Sequence, residues 1–139
     1  MVASLRPGGW LVVEDLDLPD GTSGDVGANA EFISRTAAAL RRVTTAAGVD
    51  GRLAPSLARR LRSHGLANVG AEGRVLLWQG GTNGAALMRL NFEQLREPIL
   101  ASRDVTQDQF EADLAALNDE ELEIRSPTLW TAWGQLGAG

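Results

Sequence analysis

The sequence has no cysteine and no tyrosine, a single histidine (His64), and no lysine, so all thirteen basic residues are arginine. Each absence removes chemistry. Without cysteine there is no disulfide, thiolate nucleophile, iron–sulfur cluster or cysteine-bound zinc. Without lysine there is no Schiff base and no Walker A phosphate loop. One histidine excludes HExxH and any multi-histidine metal site, and no metal site is expected. A Ser–His–Asp triad would need His64, and no G-x-S-x-G elbow accompanies it. Basic charge is also short: thirteen arginines face eighteen acids, a net charge of −5. Nucleic acid is therefore not expected as a partner, because neutralising phosphates needs a basic face. No apolar run nears the roughly 18 residues of a membrane span. The N-terminal residues show no signal-peptide pattern, and a cytoplasmic setting is expected.

What is present suits a folded chain. Hydrophobic residues make up 44% of the 139 positions, and that length fits one domain. Trp10-Leu11-Val12-Val13 is an unbroken apolar run after the turn signal Pro7-Gly8-Gly9. It predicts a strand buried on both faces, as in sheets covered by helices. Glu14, Asp15 and Asp17 follow at its C-terminal end, where open α/β sheets bind ligands. A Gly/Asp/Ser/Thr-rich loop is expected over 18–28. Asn29 would cap a helix carrying Ile33, Ala37, Leu40, Val43 and Ala47, stopped by Gly48.

A second helix is expected from Pro55 to Gly65, with Leu57 and Leu61 on its apolar face. Val69, Ala71, Val75 and Leu77 predict one strand, interrupted near Gly70–Gly73 and ended by Gly80-Gly81. Thr82 would cap a third helix with Leu87, Met88, Phe92, Leu95 and Ile99 inward, kinked or ended at Pro98. Thr106 and Gln109 have the spacing of a capping box, and Val105 with Phe110 that of a hydrophobic staple. Thr128 to Trp133 alternates and is rich in β-formers, so a last strand is expected there. The order, strands separated by helix pairs, is an α/β pattern with about three strands.

Leu5-Arg6-Pro7-Gly8-Gly9, followed by Trp10-Leu11-Val12-Val13-Glu14-Asp15, resembles a landmark of class I S-adenosylmethionine-dependent methyltransferases. There a leucine–basic–proline–glycine–glycine turn introduces the fifth strand of a Rossmann-like sheet. Leu57, Leu61, Gly65-Leu66 and Val69 are similar to the passage into the sixth strand, and Ser126-Pro127-Thr128 through Trp133-Gly134 to the seventh. The resemblance implies a partial methyltransferase sheet whose last strand is antiparallel and lies between two parallel ones. It also implies that residues 80–126 form a helical, cap-like insertion within a single domain, 1–139. It begins where the family's second half begins, so it implies a fragment. S-adenosylmethionine is the implied cofactor, yet no cofactor-binding residue is carried over: the glycines at 21, 24 and 27 lack the required spacing.

Glu14 and Asp15 are candidates to orient a substrate or take a proton, against the plainer reading of a solvated acidic loop; Asp17 ranks below them. Trp78, Gln79 and Thr128 are candidate pocket residues, against core or cap packing. His64 reads as a helix-end residue, Arg59, Arg60 and Arg62 as a solvated face, and the glycine-rich 80–84 loop as a weak phosphate signal. The resemblance implies the substrate-side part of an enzyme acting on a small molecule, inactive without the cofactor-binding half. The alternative is a non-catalytic binding or oligomerisation module. In the latter, without the family's fourth strand, the Trp10–Glu14 strand would expose an edge that self-association, rearrangement or a partner chain must cover.

Overall fold

Pro7 and Gly8 set the first turn. Gly8 adopts φ +77°, and the Gly9 N–H donates to the Arg6 carbonyl at 2.8 Å. This is a type II turn, with proline where φ must be near −65° and glycine where φ must be positive. It launches β1 (Trp10–Leu16). The computed structural model describes residues 1–17 and 30–138, with the backbone alone for 30–34. The expected loop over 18–28, the Asn29 cap and the Ile33 side chain lie outside what is described. The described residues fall into two compact units. One comprises residues 1–17, 50–75 and 127–138; the other comprises 30–49 and 76–126.

Among the described residues the first unit is a three-stranded sheet with one α-helix and a short 3-10 turn at Val2–Ser4. Its order is β1, β5 (Leu129–Leu136), β2 (Leu66–Arg74), and β5 is antiparallel to both neighbours. β1 and β2 therefore run parallel to each other. The C-terminal ends of these two strands and the start of β5 share one rim, because Leu129 is the partner of both Leu16 and Arg74.

Between β1 and β2 in sequence lies α2 (Leu53–Ser63). It starts two residues before Pro55, which sits in the first turn, where a backbone N–H has no helical partner to lose. Leu57 and Leu61 are buried against Leu66 and Ala132, with Leu11 and Val13 packed alongside. Burying each leucine contributes roughly 1.5–3 kcal/mol. The helix ends at His64, and Gly65 follows at φ +79°. Asn68, at φ 50°, marks a bulge between Ala67 and Gly70, after which β2 resumes pairing.

The expectation that Trp10–Val13 is buried on both faces is corrected. The strand runs on to Leu16, and burial alternates along it. Leu11 and Val13 face α2; Trp10, Val12 and Leu16 are 52%, 60% and 46% exposed. An unbroken apolar run cannot reveal this, since it specifies how much surface seeks cover and not whether a layer exists on each side.

In the second unit, α1 (Ala30–Ala46), α3 (Asn83–Gln94), α4 (Arg96–Ala101) and α5 (Gln107–Ala116) accompany an antiparallel ribbon of β3 (Leu77–Gln79) and β4 (Glu123–Arg125). The 80–126 segment lies within this unit, which also takes residue 76 onward and α1. Phe92, Ile99 and Phe110 are fully buried in one cluster with Val105, Leu114, Leu117, Leu122 and Ile124. The Thr106–Gln109 capping box forms in both directions, at 2.9 and 3.2 Å, and Val105 and Phe110 are both buried beside it.

Three expectations change here. The strand expected through 69–77 is divided at Val75-Leu76 and not near Gly70–Gly73; β2 and β3 belong to different sheets. Leu87 is 47% exposed and not inward. Pro98 does not end a helix: α3 closes at Leu95, and Pro98 sits in the first turn of α4. No helix among the described residues is long and apolar enough to cross a membrane. The chain is a mixed α/β structure with an antiparallel central strand.

Candidate functional site

Three acids lie at the rim end of β1: Glu14 and Asp15 within the strand, and Asp17 just past it. Alternation along the strand separates Glu14 from Asp15. Glu14 shares the exposed face with Val12, whereas Asp15 follows Leu11 and Val13 on the α2 face. They do not form a carboxylate pair. The Glu14 carboxylate accepts from the Thr131 hydroxyl at 2.7 Å, on the neighbouring strand. The Asp15 carboxylate accepts from the Leu16 N–H at 2.9 Å.

Asp17, ranked below them from sequence, has the densest hydrogen bonding. Its carboxylate accepts from the Thr128 N–H at 2.9 Å and from the Trp130 indole N–H at 3.2 Å. Its own N–H donates to the Thr128 carbonyl at 3.0 Å. Both backbone polar groups of Thr128 are thus tied to one residue, which fastens the start of β5 to the end of β1. Thr128 is brought to the rim beside Asp17, with its backbone already engaged. Nothing in the spacing of residues 17 and 130 signals this contact; the unpaired indole donor of a strand tryptophan was the only hint.

Trp78 and Gln79 lie in the second unit, on β3. The Trp78 ring rests against Gly84: a Cβ at 84 would fall 2.3 Å from Trp78 Cγ. The Gln79 side-chain amide donates to the Glu120 carbonyl at 2.8 Å, and the Gln79 backbone carbonyl accepts from both the N–H and the hydroxyl of Thr82. These bonds occupy the 80–84 loop with its own turn. His64 is an exposed helix-end residue. Arg60 pairs with Asp50 at 3.5 Å, and Arg62 donates to the Val69 carbonyl at 3.4 Å.

The exposed face of the sheet is the other feature. Val12 and Trp133 are register partners, Trp10 and Gln135 the next pair, and Glu14, Thr131 and Glu72 form a row across all three strands. The Trp133 ring lies over Gly70, where a Cβ would come within 2.5 Å of it, so this glycine is required by the ring. The Asn68 side-chain amide donates to the Gln135 side-chain carbonyl at 2.9 Å.

Sequence reasoning missed one buried acid. Asp113 on α5 is fully buried, accepts from the Thr36 hydroxyl of α1, and has Arg35 at 3.8 Å. Its Oδ1 has no hydrogen-bond partner among the described residues. Burial pushes its carboxyl above the ordinary aspartate value, against the opposing pull of Thr36 and Arg35. A signal existed, since 113 falls three residues after Phe110 and so on its face. Among the described residues, no group of three or more His, Asp or Glu is placed to hold a metal ion. No protein-family model matches the chain, and no curated protein matches it.

Proposed function

We propose that this chain is the C-terminal, substrate-side portion of a class I S-adenosylmethionine-dependent methyltransferase acting on a small molecule in the cytoplasm. The observation that carries the reading is the sheet order. An antiparallel β5 lies between parallel β1 and β2, directly downstream of the Leu5–Gly9 turn. That is the arrangement the resemblance implies for the fifth, seventh and sixth strands. Substrate would then lie at the rim, with Thr128 and either Glu14 on the exposed face or Asp15 on the α2 face as its contacts in the first unit. Trp78 and Gln79 are less suited to such a role, because their ring and amide are already engaged in packing.

The cofactor does not fit the residues present. Asp17, the acid just past the end of β1, already has both carboxylate oxygens bonded, to Thr128 and Trp130. The neighbouring Glu14 is bonded to Thr131. In this reading another segment supplies the cofactor site, and no chemical step is assigned to this chain alone. Titration calorimetry of the isolated chain with S-adenosylmethionine is expected to give no measurable heat of binding. Micromolar affinity would overturn the reading.

A second reading has its own support. The exposed face of β1 and its position at the edge of the sheet favour a non-catalytic association module.

A further inference from the structure

The hydrogen bonds that flank β1 reveal which of its backbone groups face outward. The Leu136 N–H donates to the Gly9 carbonyl, and the Asp17 N–H donates to the Thr128 carbonyl. In an antiparallel ladder such pairs recur at every second residue. Odd-numbered residues of β1 therefore bond to β5, and Trp10, Val12, Glu14 and Leu16 turn their N–H and carbonyl groups to the open edge. Leu16 is the exception in use, because the Asp15 carboxylate already holds its N–H at 2.9 Å. Three consecutive outward residues, Trp10, Val12 and Glu14, remain with both groups unpaired among the described residues.

We propose that two copies of this chain join antiparallel through this edge, with Val12 on the two-fold axis and Trp10 of each copy opposite Glu14 of the other. Hydrogen bonding and charge select the register together. Centring on Val12 pairs all three open residues, with two hydrogen bonds for each of the three pairs. Centring on Val13 would place Trp10 opposite Leu16, whose N–H is taken. Centring on Glu14 would bring two carboxylates face to face, which opposes pairing. A closed two-fold contact also leaves the β1 edge of neither copy open to further addition. The proposal does not depend on the methyltransferase reading, since it uses only the strand and its edge.

The absence of cysteine makes the test clean, because Val12→Cys introduces the sole thiol. Hydrogen-bonded antiparallel partners have Cα atoms about 5.5 Å apart, within the span a disulfide bridges. With an added oxidant, Val12→Cys is expected to give a covalent dimer. Thr131→Cys, on the same face but one strand further from the axis, is expected to give no covalent dimer.

Val12→Pro supplies the second arm. The Val12 N–H points away from β5, so proline there spares the internal ladder and removes one donor per copy at the junction. Light scattering over a micromolar dilution series should show a dimer for the unmodified chain. Val12→Pro should weaken it by about thirtyfold, the loss of two backbone hydrogen bonds. Circular dichroism should report an unchanged fold. Val12→Lys, which sets two like charges at the axis, should also dissociate the dimer, and it keeps the test valid if proline disturbs folding. A monomer at every concentration, cross-linking of Thr131→Cys in place of Val12→Cys, or association insensitive to both substitutions would each overturn the proposal. The last two would point to the sheet face or to another surface.

Discussion

The two units solve the burial problem differently. The second surrounds its own centre: four helices and a short ribbon bury Phe92, Ile99, Phe110 and their neighbours completely. The first contains a sheet, and a sheet has two faces. One face is covered by α2 and closed over Leu57, Leu61, Leu66 and Ala132; the other keeps Trp10, Val12 and Leu16 exposed. None of the first unit's three tryptophans is fully buried. Helices that wrap one another complete a core with few parts, whereas a sheet needs a layer on each side and a partner or a block at each edge. In the first unit the leftover apolar surface is one face of a sheet, whereas the second unit closes its centre and leaves Leu76, Leu77, Leu87 and Leu90 exposed on its outside.

That contrast can be broken most forcefully from the second unit. Phe110→Ala should remove about 3–5 kcal/mol of stability in urea unfolding, the cost of an aromatic-sized hole in a closed core. Val12→Ala, on the exposed face, should cost within about 0.5 kcal/mol, as surface substitutions do. Similar costs for the two would mean that the units do not differ in closure.

A smaller effect concerns pH. Burial raises the Asp113 carboxyl above its ordinary value, so the protonated form is the one the fold favours. Its contribution is fully present below the unfolded aspartate value and is lost as pH rises through the raised folded value. Stability of the second unit should therefore gain from this group as pH falls through that window. Glu111, exposed and paired with Arg96, is shifted down and acts in the opposite sense. Asp113→Asn isolates the buried term: its unfolding free energy, measured across the acid range, should lack this gain. An unchanged pH profile would contradict it.

Much of this organisation was legible because it is local. The Pro7-Gly8 turn, the Thr106–Gln109 capping box with its Val105–Phe110 staple, and the β5 alternation depend on residues within a few positions of one another. The order of β1, β5 and β2 was legible only through the resemblance, since it joins segments more than fifty residues apart. The β3–β4 ribbon was not legible. Each strand is three residues long, and pairing across more than forty positions defines them. The candidate site was half legible. Position identified the rim acids, but their roles came from tertiary contacts. Asp17 is set by Trp130, and Glu14 parts from Asp15 because the strand continues past the apolar run that announced it.

The most direct test of the unfinished first unit is amide hydrogen exchange resolved to single residues over a dilution series. The Leu11 and Val13 amides, bonded to β5, should be protected at every concentration, as should the Phe110 amide in the second unit. The Trp10, Val12 and Glu14 amides should exchange rapidly in dilute solution and gain protection as concentration rises. A Val12 amide protected equally at all dilutions would show that its edge is already covered within the single chain, and would contradict the account.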